Sequence, residues 1–403
     1  MKKLNLIVSF AYLTSLLLLL VTLFVFPPTV FGQNAYSDFW KDQVDVFSLE
    51  GDPEFSSFNM LKELVGEYQF FFTAEEHWQA MNPKIQFRFL TFLHKYAGVR
   101  NLILEGGYAY GELLNRYLDT GNEKLLIRAL YDTPVCPRDQ MTFYRDLYQF
   151  NQSVPESDRI WLVGIDLEQS PLLVTECLYR MLPNKPLTAG VRKKITQLKT
   201  LHEQEGYNDK EARRFYRQWY KEWQERKRAY RRYWEEEYWL FEMILENLVQ
   251  GFDIPVLREF VYAHGDDKKR ELRMYNNFKL LNKHGRLKAG KFYGQFGGIH
   301  TEIKPAINWG FPTLAQNLNA HSYSPVQGKV LTISKYFRRV PRVYEKFKEF
   351  DEFMEVMAEV DAFYEEDIVL FRLIGNEEMF PNLSKNFQFI LIVPEDMEAQ
   401  PCR

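Results

Sequence analysis

Glu75 and His77, separated by one residue, directly follow an apolar run, Tyr68–Thr73, that reads as a strand. In an extended chain alternate side chains face the same way, so the carboxylate and the imidazole would lie side by side. A carboxylate against an imidazole holds its tautomer and raises its basicity, which is a standard way to activate water. The same two groups are also metal-ligand types. A Glu-Glu-His sequence alone is the pattern of a surface turn. Here Phe70-Phe71-Phe72 precede it, and that argues for the end of a buried strand.

Three more apolar runs end on groups of the same kind. Val99–Leu104 leads into Glu105-Gly106-Gly107, Arg159–Ile165 into Asp166, and Lys291–Ile299 into His300. Ligands of open α/β sheets bind in the crevice beyond the carboxyl ends of the strands. Four strands tipped in this way would carry Glu75, His77, Glu105, Asp166 and His300 to one edge of one sheet. Taken singly, each has a plainer reading. Glu105 could be an acid at a tight turn, and Asp166 the N-cap of the next helix. His300 stands out, because Gly294, Gly297 and Gly298 precede it, and glycines weaken a strand unless something approaches the backbone.

The elements that must position these groups alternate. Asn82-Pro83 opens a helix whose apolar face is Ile85, Phe89, Phe92 and Leu93, and Gly98 closes it. A second helix runs through Leu113, Leu114 and Tyr117 to Thr120-Gly121, and a third covers about 138–152. Such alternation predicts βαβ units and a mainly parallel sheet. From about 185 to 285 no strand pattern occurs, and 209–249 reads as one long helix rich in Trp and Tyr. Its aromatics suit an amphipathic face packed in a hairpin; the alternative is an aromatic wall over a substrate cleft. Strands resume at Val330–Ser334, Ile368–Arg372 and Phe387–Val393, so both halves should share one sheet. The expected fold class is α/β, a central mainly parallel or mixed sheet flanked by helices, with a helical insertion at about 185–285.

Composition bounds the partners. The 403 residues are 46% hydrophobic and 16% aromatic, ample for a large core. The formal charge is −3, so no strong field gathers nucleic acid, and a small-molecule substrate is expected. Met1-Lys2-Lys3, the apolar stretch Leu4–Phe26 and the small-residue pattern before Gln33 read as a signal peptide over 1–32. The competing reading is an uncleaved anchor, since about 20 apolar residues span a bilayer. Cleavage would leave residues 33–403 as one domain, secreted or periplasmic, with no stable membrane insertion. Cys136, Cys177 and Cys402 are too scattered for a metal motif, and a Cys136–Cys177 bridge stays open.

Together these segments resemble the erythromycin esterase-like family. Ala74-Glu75-Glu76-His77, Leu104-Glu105-Gly106, Gly164-Ile165-Asp166 and Gly297-Gly298-Ile299-His300 occur in that family's order. The stretch Arg270-Glu271-Leu272-Arg273-Met274-Tyr275-Asn276-Asn277 resembles its Arg-Asp-x-x-Met-x-x-Asn helix. Haem-uptake and Tiki-like proteins share part of this logic. The resemblance implies a hydrolytic site in a deep cleft, with His77 as general base and Glu75 and Glu105 orienting it or the water. Arg270 and His300 would then polarise a carbonyl or steady its oxyanion. Two departures separate this chain from the drug-inactivating members. Ala74 stands for their glycine with one residue fewer before the histidine, and the His-Asn-x-His context is missing. The expected function is hydrolysis of an ester, lactone or similar acyl bond without a cofactor. The alternatives are a metal-dependent hydrolase using Mn or Zn, or a non-catalytic haem or small-molecule binder.

Overall fold

The computed structural model describes residues 42–49, 54–77, 79–131, 138–204, 206, 208–252, 264–304, 310–337, 364 and 367–394. The chain divides into Met1–Val44 and Asp45–Arg403, and the second unit carries the fold. The signal segment, Cys136 and Cys402 lie outside the described residues; Cys177 is a buried free thiol. Among the described residues no helix is long and apolar enough to cross a membrane.

Eight strands form one sheet: β1 (Val44–Phe47), β2 (Phe70–Glu75), β3 (Val99–Leu104), β4 (Trp161–Gly164), β5 (Lys291–Gly297), β6 (Val330–Phe337), β7 (Ile368–Arg372) and β8 (Phe389–Val393). Their order is β1-β7-β8-β6-β2-β5-β3-β4. The pairs from β8 through β6, β2, β5 and β3 to β4 are parallel, and β7 runs antiparallel to β8. The sheet is therefore mixed. Strands covered on both faces need apolar side chains on both, which is why β2 opens on three buried phenylalanines and β8 reads Phe-Ile-Leu-Ile-Val. Fully burying one such side chain stabilises the fold by roughly 1.5–3 kcal/mol.

The helix Asn82–Ala97 links β2 to β3, with proline in its first turn where no amide partner is needed. Gly98 ends it in the left-handed region, at φ 74°, which glycine adopts without a Cβ penalty. Tyr108–Thr120 links β3 toward β4, by way of Glu123–Tyr131 and Arg138–Ser153. Glu123–Tyr131 and β1 are additional to the elements expected from sequence. From β2 the chain moves past β5 to reach β3, whereas from β5 it moves past β2 to reach β6. Right-handed crossovers in opposite directions leave by opposite faces, and open α/β sheets bind ligands at such a reversal, here at the ends of β2 and β5.

The helical insertion comprises Arg192–Glu203, Asp209–Glu225, Lys227–Trp234, Tyr238–Gly251 and His264–Lys283. The single helix expected over 209–249 is in fact three. It breaks at Arg226, whose φ of −123° and ψ of 30° leave the helical region, and again at Glu235, with φ 50°. The breaks let the chain fold back on its own aromatics. Trp219, Trp223, Tyr230 and Trp234 are buried, and Tyr230 and Trp234 both stack on Phe241. The Trp219 and Trp223 indoles donate to Tyr230 and Tyr238. These residues are a core of the insertion, not a wall over a cleft.

Candidate active site

Glu75 is the last residue of β2, and His77 follows in the turn beyond it. The imidazole Nδ1 lies 2.8 Å from Glu75 Oε1, so a proton on Nδ1 is donated to the carboxylate and Nε2 is left as the base. The His77 side chain is 42% exposed. Burial works to lower its pKa, but the hydrogen bond and charge of Glu75, helped by Glu105, outweigh it and raise the value. Gly297 makes room for the ring: a Cβ there would sit 2.9 Å from His77 Nε2. The glycine at 297 is thus required by the site, whereas Gly294 lies against the Phe296 ring.

Glu105, just past β3, accepts the backbone N–H of Gly297 at 2.7 Å and an N–H of Arg270 at 2.7 Å. His300 Nε2 is 3.3 Å from the same carboxylate. Burial would raise the Glu105 pKa, but His300, Arg270 and His77 hold it well below the ordinary carboxylate range. His300 belongs to a single helical turn, Gly298–Thr301, that follows β5. Its Nδ1 donates to Glu271, so the ring sits between two carboxylates. Burial opposes its charge, yet Glu271 and Glu105 push its pKa up to about 10. The two carboxylates thus favour the imidazolium form of His300.

Asp166 is buried beyond β4 and accepts two bonds of 3.1 Å from Arg270 Nε, which forks between its oxygens. It does not cap the next helix: Ser170 does, accepting from the Leu173 amide. Arg270 thus joins Asp166 to Glu105. In the helix His264–Lys283, Met274 is buried and Asn277 donates to the Ile165 carbonyl at 2.8 Å. Residues 270, 274 and 277 share one helical face, so Arg270, Met274 and Asn277 are presented together. All six residues expected from sequence therefore meet at one end of the sheet. Three other histidines among the described residues lie elsewhere. His94 bonds to the Asp158 carbonyl, His202 to Glu176, and His284 stacks on Trp239.

Four further polar groups complete the arrangement, and sequence reasoning assigned none of them a role. Glu271 holds His300. Gln295 Nε2 donates to Glu75 Oε2 at 2.7 Å, and Lys335 donates to Gln295 Oε1 at 2.6 Å. Glu168 accepts from the Ala109 amide at the start of Tyr108–Thr120. Glu271 adjoins Arg270, and Gln295 lies among the glycines before His300, so both were visible next to residues already singled out. Burial raises the Glu168 pKa from 4.5 to about 8. The folded state then binds a proton that the unfolded state has lost, so stability falls as pH rises from 4.5 toward 8. Glu168→Gln should remove this dependence and leave a protein more stable than the parent at pH 8, each tenfold difference in proton affinity being worth about 1.4 kcal/mol. Chemical melts of both proteins at pH 6 and pH 8 check it; equal slopes with pH would refute it.

Single ligand atoms of Glu75, His77 and Glu105 lie within 4.8 Å of one another. One imidazole and two carboxylates suit a divalent ion such as Mn or Zn. Both carboxylates already accept N–H donors, and Glu105 also faces two cationic side chains, which opposes a further positive charge.

No family model matches this sequence, and no curated protein does. Solved structures do. A Bacillus cereus protein aligns with TM-score 0.63 at 15% identity, over 92% of this chain and 99% of its own. A succinoglycan biosynthesis protein aligns with TM-score 0.62 at 14% identity, over 89% of this chain and 95% of its own. The erythromycin esterase EreC, a histidine mutant in its open conformation, aligns with TM-score 0.58 at 15% identity, over 88% of this chain and 98% of its own. At these identities the likeness defines the fold: an α/β domain of the erythromycin esterase type.

Proposed function

We propose that this chain is a hydrolase of ester, lactone or similar acyl bonds in a small molecule, with His77 as general base. The observation that carries the reading is the Glu75–His77 pair, closed at 2.8 Å on a histidine side chain that is 42% exposed. Water at Nε2 would give its proton to the ring while its oxygen attacks the carbonyl carbon. Collapse of the tetrahedral intermediate breaks the C–O bond, and His77 returns the proton to the departing alkoxide. Glu75 fixes the tautomer and steadies the imidazolium as it forms. Arg270 and His300, both held against Glu105, supply positive charge for the oxyanion as it develops. Asp166 holds Arg270, and Glu105 ties Arg270 and His300 to the Gly297 backbone. The segment 1–32 would direct the enzyme to a secreted or periplasmic location. The experiment is a screen of activated esters and lactones with the parent and with His77→Ala. Turnover by the parent alone supports the reading, and equal turnover by both removes it.

A metal-assisted version is the second reading, favoured by the convergence of Glu75, His77 and Glu105. A bound ion there would act as a Lewis acid or lower the pKa of its water. Under the first reading, activity survives exhaustive chelation, and elemental analysis finds no stoichiometric metal. Activity lost to chelation and restored by Mn or Zn would transfer the assignment to a metallohydrolase.

A further inference from the structure

Lys335 is a buried cation in a strand, 6% exposed, and buried lysines are rare unless something holds them. Its place follows from the sheet register. Thr73 of β2 pairs with Ile333 of β6, so two residues further along Glu75 and Lys335 stand level and face the same way. On the other side of β2, Gln295 of β5 pairs with Thr73. The lysine reaches across β2 and donates to two amide oxygens, Gln295 Oε1 and Asn82 Oδ1, each at 2.6 Å.

Both amides pass the constraint on. With its oxygen taken by an ammonium, the Gln295 amide has one usable orientation, its N–H toward Glu75 Oε2 at 2.7 Å. That leaves Glu75 Oε1 for His77 Nδ1. Asn82, held in the same way, donates to the Glu76 carbonyl at 2.6 Å, and Glu76 is the residue between Glu75 and His77. One buried charge therefore orients the acid from one side and the turn carrying the base from the other.

We propose that Lys335 is a positioning residue of this site: through Gln295 and Asn82 it sets the Glu75–His77 geometry and keeps the His77 proton on Nδ1. The proposal deepens the general-base reading, on which its catalytic meaning rests. Its structural content does not need a substrate.

The test is ¹⁵N NMR of the His77 ring in the full chain, at a pH where the ring is neutral, for the parent, Lys335→Met and Gln295→Met. Gln295→Met cuts the link to Glu75 without deleting a buried charge, so it decides the matter if Lys335→Met fails to fold. The parent should show one tautomer, with the proton on Nδ1. The folded variants should show a mixture with the Nε2–H form. On any ester the parent cleaves, kcat should fall about tenfold or more, with KM little changed. A single Nδ1–H tautomer retained in every variant that folds overturns the proposal. Tautomer loss in a protein that cleaves no ester would uphold the positioning role and defeat the hydrolase reading. An unchanged tautomer with His77-dependent turnover would do the reverse.

Discussion

His77→Ala is expected to abolish turnover of any ester or lactone that the parent cleaves, by about 10²–10⁴-fold, the range for loss of a general base. The fold should survive. The ring is 42% exposed, and Glu75 keeps its bond to Gln295 when the ring is gone. The pH profile provides an independent check. A base must be neutral to accept a proton, so activity should rise with pH through the His77 pKa. Since Glu75 and Glu105 raise that pKa against the effect of burial, the midpoint in kcat/KM should lie above 6.5. Added imidazole should restore part of the rate in the alanine variant, since the vacated space opens on solvent. A folded His77→Ala protein that retains most of the parent kcat would end the general-base assignment.

The largest effect on stability should come from Arg270→Met. Arg270 bonds to Asp166, which is 0% exposed, and to Glu105, which is 13% exposed. Removing the guanidinium leaves both carboxylates short of their cation, a change that typically costs about 3–5 kcal/mol. In a domain this large the melting temperature should drop on the order of 10 °C. The deficit should be largest near neutrality and shrink in acid, because the stranded carboxylates can then take up protons. In the parent the signs differ by group. Glu105, depressed below 4.5, contributes stability above that pH and loses it as pH falls through its folded value. His300, raised to about 10, contributes fully below 6.5 and loses its share as pH climbs through 10. Melts of parent and variant at pH 3, 5, 7 and 9 test both statements. A variant as stable as the parent at pH 7 would show that the two acids do not depend on Arg270.

Most of the strands and the acids at their tips were legible in the sequence, because burial on both faces demands apolar runs and the chemistry begins where those runs stop. Three kinds of feature were not. Gln295 and Lys335 owe their roles to neighbours on other strands, and β6-β2-β5 adjacency has no local signature. Lys335, in a strand with mixed polar and apolar residues, carries no mark of burial. The long aromatic segment kept helical spacing on both sides of Arg226 and Glu235, so the periodicity hid two breaks that tertiary packing imposes. Asp166 has the composition of a helix cap and accepts the Leu167 amide locally, and its ion-pair partner Arg270 arrives from 104 positions away.

The place of β5 between β2 and β3 also orders events in time. Gln295 reaches Glu75 across 220 positions of sequence, and the Gly297 amide reaches Glu105 across 192. A chain made at about 5–20 residues per second exposes β2 roughly 10–40 s before β5 exists to stand beside it. Until then β2 and β3 lack the strand that separates them, and Glu105 lacks the amide that holds it. Contacts this distant in sequence form slowly, because loop closure must precede the bonds that reward it. A nascent or prematurely terminated chain ending before Gly297 therefore contains Glu75 and His77 but not the site. Activity, once assayed, doubles as a readout of completed folding.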